Sequence, residues 1–173
     1  MTTAGNAATR CRLLRHWEQA TALLKGDGMK IGKILVPVNG GPADVQAIQL
    51  ACSVAKPSKG LVHAIFVIEV QRTLPLDADI QTEVEKGERV LDAAEQVAGA
   101  IGYEIESEIL QAREIGPAVV DEAIERAVDV IIIGVKYEKR FGEFSLDRGA
   151  SYVLKNAPCR VWVCREPMAK EAR

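Results

Sequence analysis

Lys33-Ile34-Leu35-Val36-Pro37-Val38-Asn39-Gly40-Gly41-Pro42 decides how the chain is read. Its apolar residues run together without alternation, which suits a strand covered on both faces, as in a parallel sheet. Two glycines then loosen a turn. Pro42 takes a first helical position, where its missing N–H costs nothing. Strand, glycine turn and helix, in that order, is where α/β folds place an anion or a nucleotide.

The same unit recurs down the chain. A first helix is expected from Pro42 to about Ala55, with Val45, Ile48, Ala51, Cys52 and Ala55 on its buried stripe. Leu61 to Val70 is a second apolar strand. Helix two is expected over about Ile80 to Ile101, burying Val84, Leu91, Ala94, Ala98 and Ile101, with Gly102 as its cap. Tyr103 to Leu110 alternates Ile105, Ser107 and Ile109 with Glu104, Glu106 and Glu108, the pattern of an edge strand with one wet face. Gly116-Pro117 opens helix three, with Val120, Ala123, Ile124 and Ala127 inward. Val128 to Ile133 is apolar enough to be central, and Cys159 to Cys164 closes the series after a long loop and a fourth helix. Five strands and four crossover helices make an open, mostly parallel, doubly wound sheet with helices on both faces. Ligands in such α/β sheets lie beyond the carboxyl ends of the strands, where the winding reverses. That places a crevice at Pro37 to Gly41 and Gly134 to Arg148, with Val67 as a side wall.

Composition narrows the classes. The 173 residues fit one domain, and a net charge of −2 gives no electrostatic reason to bind nucleic acid. No run approaches membrane-spanning length. Cys11, Cys52, Cys159 and Cys164 show no metal-like pairing, and two histidines add little; the expectation is reduced, buried thiols in a cytoplasmic protein. Residues 1–28 differ from the rest: Leu13, Trp17, Ala20 and Leu24 recur at helical spacing beside Arg10, Arg12 and Arg15. A presequence, a membrane-surface helix and a partner helix all fit that pattern. The preferred reading is a start at Met29, because codons for Lys25-Gly26 would form a purine run resembling a ribosome-binding site. The organisation expected is an extension over 1–28, a domain over 29–165 and a charged tail over 166–173.

Three stretches carry a resemblance. Lys33 to Gly40 resembles the opening strand of the universal stress protein family, and Gly116-Pro117 its third crossover. Ile131-Ile132-Ile133-Gly134 and Tyr152 to Val161 resemble its closing strand–helix–strand, so the match spans about residues 30–165. The resemblance implies a sheet ordered 3-2-1-4-5 and a homodimer, here through strand Cys159–Cys164. It also implies either an ATP-binding subclass or one without that site. The binding subclass carries Gly-x-x-Gly, nine residues, then Gly-Ser or Gly-Thr. Here Gly134 holds the first place, while Tyr137 and Asp147-Arg148 stand at the others, and Asn39 replaces the acid that ends the first strand. The vestigial crevice would therefore comprise Pro37, Asn39, Val67, Gly134, Lys136 and Arg148.

Asp147 has two readings. It stands where phosphates meet the positive end of helix four, and an aspartate there is also a strong N-cap for the same N–H groups. Arg148 is then either a solvent-facing helix start or a phosphate contact. Lys136, Lys139 and Arg140 lie beside Tyr137, Phe141 and Phe144, a composition for a nucleotide clamp or for a lid packed on a vacant crevice. Asn39 to Asp44 also resembles the Ser-Gly-Gly-x-Asp-Ser loop of ATP pyrophosphatases, without the serine and with Asp44 one place late. Asn39 is expected as a turn residue of a type that tolerates φ > 0, and His63 as a satisfied buried histidine. No catalytic triad or carboxylate pair is legible. The function expected is a non-catalytic stress-response dimer with no cofactor and no tight ATP binding. The alternatives are a nucleotide sensor or weak Mg-ATPase with a remodelled site, and an accessory domain docking to a transporter or kinase.

Overall fold

Continuous apolar runs can be strands only if both faces are covered, and here they are. The computed structural model describes residues 31–165 apart from 77, 79, 137, 138, 141 and 142, with backbone alone at 139, 140, 143 and 144. The extension 1–28, the tail 166–173, Tyr137 and the aromatic side chains of the long loop lie outside the described residues.

The strands are β1 (Lys33–Pro37), β2 (Leu61–Glu69), β3 (Glu106–Ala112), β4 (Val130–Val135), a short ladder of β5 (Lys139–Arg140) and β6 (Glu143–Phe144), and β7 (Arg160–Arg165). Helices α1 (Pro42–Ala55), α2 (Gln81–Ala100), α3 (Ile115–Glu125) and α4 (Arg148–Asn156) connect them. The main sheet is parallel throughout and ordered β3-β2-β1-β4-β7. Counting its five members in chain order, that is 3-2-1-4-5, as the resemblance implies. Every residue of β4 is buried, and β3 and β7 are the edges. The long loop carries the antiparallel β5–β6 ladder, which its sequence did not announce.

Two apolar layers flank the sheet. Ile34, Val36, Ala64, Phe66 and Ile132 face α1 and α2, meeting Ala47, Ile48, Ala51, Leu91 and Ala98. Leu35, Ile65, Ile131 and Ile133 face α3 and α4, meeting Val119, Val120, Ala123, Ala150 and Val153. Small residues set the spacing. Ala43, Ala47, Ala51 and Ala55 form the sheet-facing row of α1, so Val45 turns outward and is 42% exposed, against the expected stripe. Ile124 is likewise 58% exposed, because α3 packs through Val119, Val120 and Ala123. A Cβ at Gly116 would meet Tyr152 Cβ at 2.6 Å, so glycine there lets α3 approach α4.

The helix ends follow capping rules. Gly102 (φ +67) ends α2: its N–H reaches the Gly99 carbonyl and the Tyr103 N–H reaches Ala98, the paired bonds of a Schellman cap. Ala127 makes the same turn after α3 at φ +50, where alanine is strained, so it lies past the helix instead of inside it. Tyr103 is consumed in this turn and by its hydroxyl bond to the Gly60 carbonyl, so β3 starts at Glu106 instead of Tyr103. At the amino end of β1, Asp129 Oδ2 accepts from the N–H groups of Gly32 (2.7 Å) and Lys33 (2.9 Å). That contact moves the start of β4 from Val128 to Val130.

His63 is 6% exposed in β2, as expected of a satisfied histidine. Its Nδ1 lies 3.0 Å from the Glu106 carboxylate and 3.2 Å from Arg126 Nη1, while Arg126 also contacts Glu108 and Glu122. One nitrogen serves the two partners in turn: bare, it accepts from Arg126; protonated, it donates to Glu106. Burial holds this pKa below the ordinary histidine value; Glu106 and Glu122 oppose the shift, and Arg126 and Lys33 add to it. Near pH 6.5 the unfolded chain therefore binds more protons than the folded one. The stability involved is fully present above that pH and is lost as pH falls through the depressed folded-state pKa. Urea unfolding midpoints should fall from pH 7.5 to 5.5, and His63→Gln should flatten that fall; equal slopes would refute the assignment.

Candidate functional site

The winding reverses between β1 and β4, and a cleft of about 990 Å³ opens at their carboxyl ends. Pro37, Asn39, Val67, Gly134 and Arg148 all line it. Lys136, the sixth residue expected there, is exposed one place beyond β4 and is not part of the lining. The opposite wall comes from Gln71, Arg72 and Arg113 and from the first turn of α3.

The turn after β1, which brings Asn39 to the cleft, is built by a carboxylate. Asp44, 7% exposed in the first turn of α1, accepts through Oδ2 from the N–H groups of Asn39 (2.7 Å), Gly40 (2.8 Å) and Gly41 (3.1 Å). Successive N–H groups converging on one oxygen form an anion nest. Gly40 supplies the left-handed residue (φ +89), so Asn39 serves the turn without a positive φ of its own. Asn39 Oδ1 instead accepts from Gly41 N–H at 2.9 Å, an Asx turn. Gly134 answers to the same feature, since a Cβ there would stand 2.8 Å from Asp44 Oδ1 and 2.9 Å from the Ala43 carbonyl carbon. Its glycine is required by α1, whatever else it serves. Asp44 had a sequence signal: it sits three residues after the N-cap Gly41, where an acid reaches back to the cap N–H.

Asp147 adopts the cap reading. It is the N-cap of α4, and its Oδ1 accepts from Ala150 N–H at 2.7 Å. The nest beside the cleft and the start of α4 therefore both hold carboxylates of the chain.

The cations of the lining are largely engaged as well. Arg72 lies 3.6 Å from Glu114. Arg113 donates to the carbonyls of Gln71 (2.6 Å) and Val70 (3.3 Å). Lys86 lies 3.5 Å from Glu83 and 5.7 Å from the centre of the Phe66 ring. With Arg148 these make four basic residues against four acids, Glu69, Glu83, Glu114 and Asp147, and a formal sum of zero. Burial raises the pKa of the Cys52, Cys159 and Cys164 thiols, so none is poised as a thiolate nucleophile. Among the described residues no group of three His, Cys, Asp or Glu could hold a metal, and no helix is long and apolar enough to cross a membrane.

An open parallel sheet with its cleft at the switch point defines a doubly wound α/β domain. More narrowly, the chain belongs to the universal stress protein family, whose pattern matches residues 30–165. A universal stress protein of Methanocaldococcus jannaschii is 29% identical over 144 residues, 78% of this chain and 82% of that one. The solved universal stress protein of Archaeoglobus fulgidus in complex with dAMP superposes with a TM-score of 0.61 at 20% identity, over 78% of this chain and 98% of that one. A family member from Arabidopsis thaliana with AMP bound gives 0.57 at 17% identity, over 79% and 92%. At those identities the structural likeness speaks for the fold.

The two carboxylates should differ in weight. Asp147→Ala removes one bond at a surface cap, a loss of about 1 kcal/mol. Asp44→Ala strands three partly buried N–H groups and should lose about 2–4 kcal/mol. Chemical denaturation of both variants checks the order; an Asp44→Ala loss no larger than that of Asp147→Ala would show that water replaces the carboxylate.

Proposed function

We propose that this chain is a non-catalytic stress-response protein of the cytoplasm, acting as a homodimer through protein contacts and without tight ATP binding. The observation that carries the reading is the Asp147 carboxylate in place at the α4 N-terminus. A phosphate oxygen roughly 4–5 Å from that carboxylate would be repelled by about 3–4 kcal/mol at an effective dielectric near 20, before solvent screening. A lining that sums to zero offers no general attraction to a polyanion, and Arg148 alone offsets part of the repulsion. Tyr137 and Asp147-Arg148 stand where the binding subclass has glycines and a hydroxyl residue, and Asn39 where it has an acid. Calorimetric titration with Mg-ATP should find binding no tighter than millimolar. The combined change Asn39→Asp, Tyr137→Gly, Asp147→Gly and Arg148→Ser should tighten it. Micromolar binding by the unaltered protein would overturn this reading and favour a nucleotide sensor, for which the open cleft and the dAMP- and AMP-bound relatives speak.

The dimer is assigned to β7. This strand is an edge of the sheet, and Val163 on it is 40% exposed. An unpaired apolar edge invites pairing, and a second copy of the same strand answers it symmetrically. Light scattering at micromolar concentration should give the mass of two chains, and Val163→Glu should give one. A wild-type monomer, or a Val163→Glu dimer with its fold intact, would count against this interface.

A further inference from the structure

The cleft is not the only concavity. Between α1 and α2 lies a groove of about 310 Å³ whose apolar lining includes Val38, Val45, Ile48, Val90, Ala93 and Val97. Val45 lies 42% exposed at this groove, the residue that the helical pattern would have buried. The gap exists because both helices press on the sheet through small residues, Ala47 and Ala51 in α1 and Gly87 and Ala94 in α2.

The groove has a polarity. Both helices run from the carboxyl end of the sheet toward its amino end, so Lys86 and Arg89 lie near one end and Ile48 and Val97 near the other. Arg89 has no hydrogen-bond or ion-pair partner among the described residues. Asp44 also borders the cationic end, but its Oδ2 is held by three backbone N–H groups. From Lys86 to Val97 the helix rises about 16 Å. A volume of about 310 Å³ lies at the small end of the range for ligand sites, which suits a small molecule better than a helix about 10 Å across.

We propose that this groove binds a straight-chain monocarboxylic acid of about ten carbons, its carboxylate at Arg89 and its tail along Val45, Ile48, Ala93 and Val97. An apolar slot with a few convergent polar groups at one end is the usual form of a small-molecule site. Val38 and Lys86 line both concavities, but the assignment does not rest on the reading of the cleft.

Calorimetric titration of the full chain with hexanoate, octanoate and decanoate, below their micelle concentrations, tests the assignment. Each added methylene should tighten binding about fourfold, the factor corresponding to about 0.8 kcal/mol per buried methylene. Decanol should bind at least tenfold more weakly than decanoate. Arg89→Ala should weaken decanoate about tenfold and leave decanol unchanged. Ala93 is exposed, so Ala93→Phe should fill the slot and abolish both without moving the unfolding midpoint. Absence of binding, equal affinity for decanoate and decanol, or undiminished binding by Ala93→Phe would each overturn the proposal. So would a concentration-dependent rise in mass that Ala93→Phe abolishes, since the groove would then be an interface between copies.

Discussion

The carboxylate of Asp44 governs the upper half of this molecule. It draws three consecutive N–H groups onto one oxygen and so fixes the corner where β1 turns into α1. Those amides are denied full access to water, and leaving them unpaired would be expensive. Once the corner is fixed, the first turn of α1 lies against β4 so closely that only a glycine fits at position 134. The alanine row of α1 then sets the height of that helix over the sheet. From this follow the outward turn of Val45 and the gap to α2. One side chain thus fixes the corner beside the cleft and borders the groove.

Much of the fold was legible because burial on both faces leaves an uninterrupted apolar run, and β1, β2 and β4 each carry one. Gly102 announced the end of α2 because few other residues take its dihedral. The buried faces of α1 and α3 were less legible. Periodicity finds a stripe but not its phase, and Val45 and Ile124 lost their places to smaller neighbours that allow closer approach. The start of β3 was misplaced because Tyr103 and Ile105 continue a strand-like alternation through what is a helix cap. At the cleft, Pro37, Asn39, Val67, Gly134 and Arg148 were found from the position of the switch point, a property of topology. Lys136 was placed there by proximity in sequence, which a strand end does not honour. Arg72 and Arg113 escaped notice because they follow β2 and β3, far along the chain from the switch-point strands, and meet the site only through the sheet order.

The fold and the chemistry of the cleft draw on different residues in this domain. The sheet order, the close α3–α4 contact at Gly116 and the Schellman cap at Gly102 are intact, and they are what likeness to solved structures registers. The groups that would greet an anion are turned inward instead. The nest amides hold Asp44, the α4 N-terminus holds Asp147, and Arg72 and Arg113 are engaged with a glutamate and two carbonyls. The result is a cleft with shape but with little uncommitted charge.

The clamp at the amino end of β1 also has a consequence for synthesis. Asp129 receives the N–H of Gly32 from 97 residues further along the chain. At ribosomal rates of about 5–20 residues per second, β1 waits roughly 5–20 seconds between its own emergence and that of the aspartate that anchors it. Throughout that interval β1 can pair with β2 on one side, while its other side, destined for β4, stays open. An apolar strand with a bare flank is a template for another nascent chain. The central position that gives β1 its burial in the finished protein therefore makes it the most exposed strand while the protein is being made.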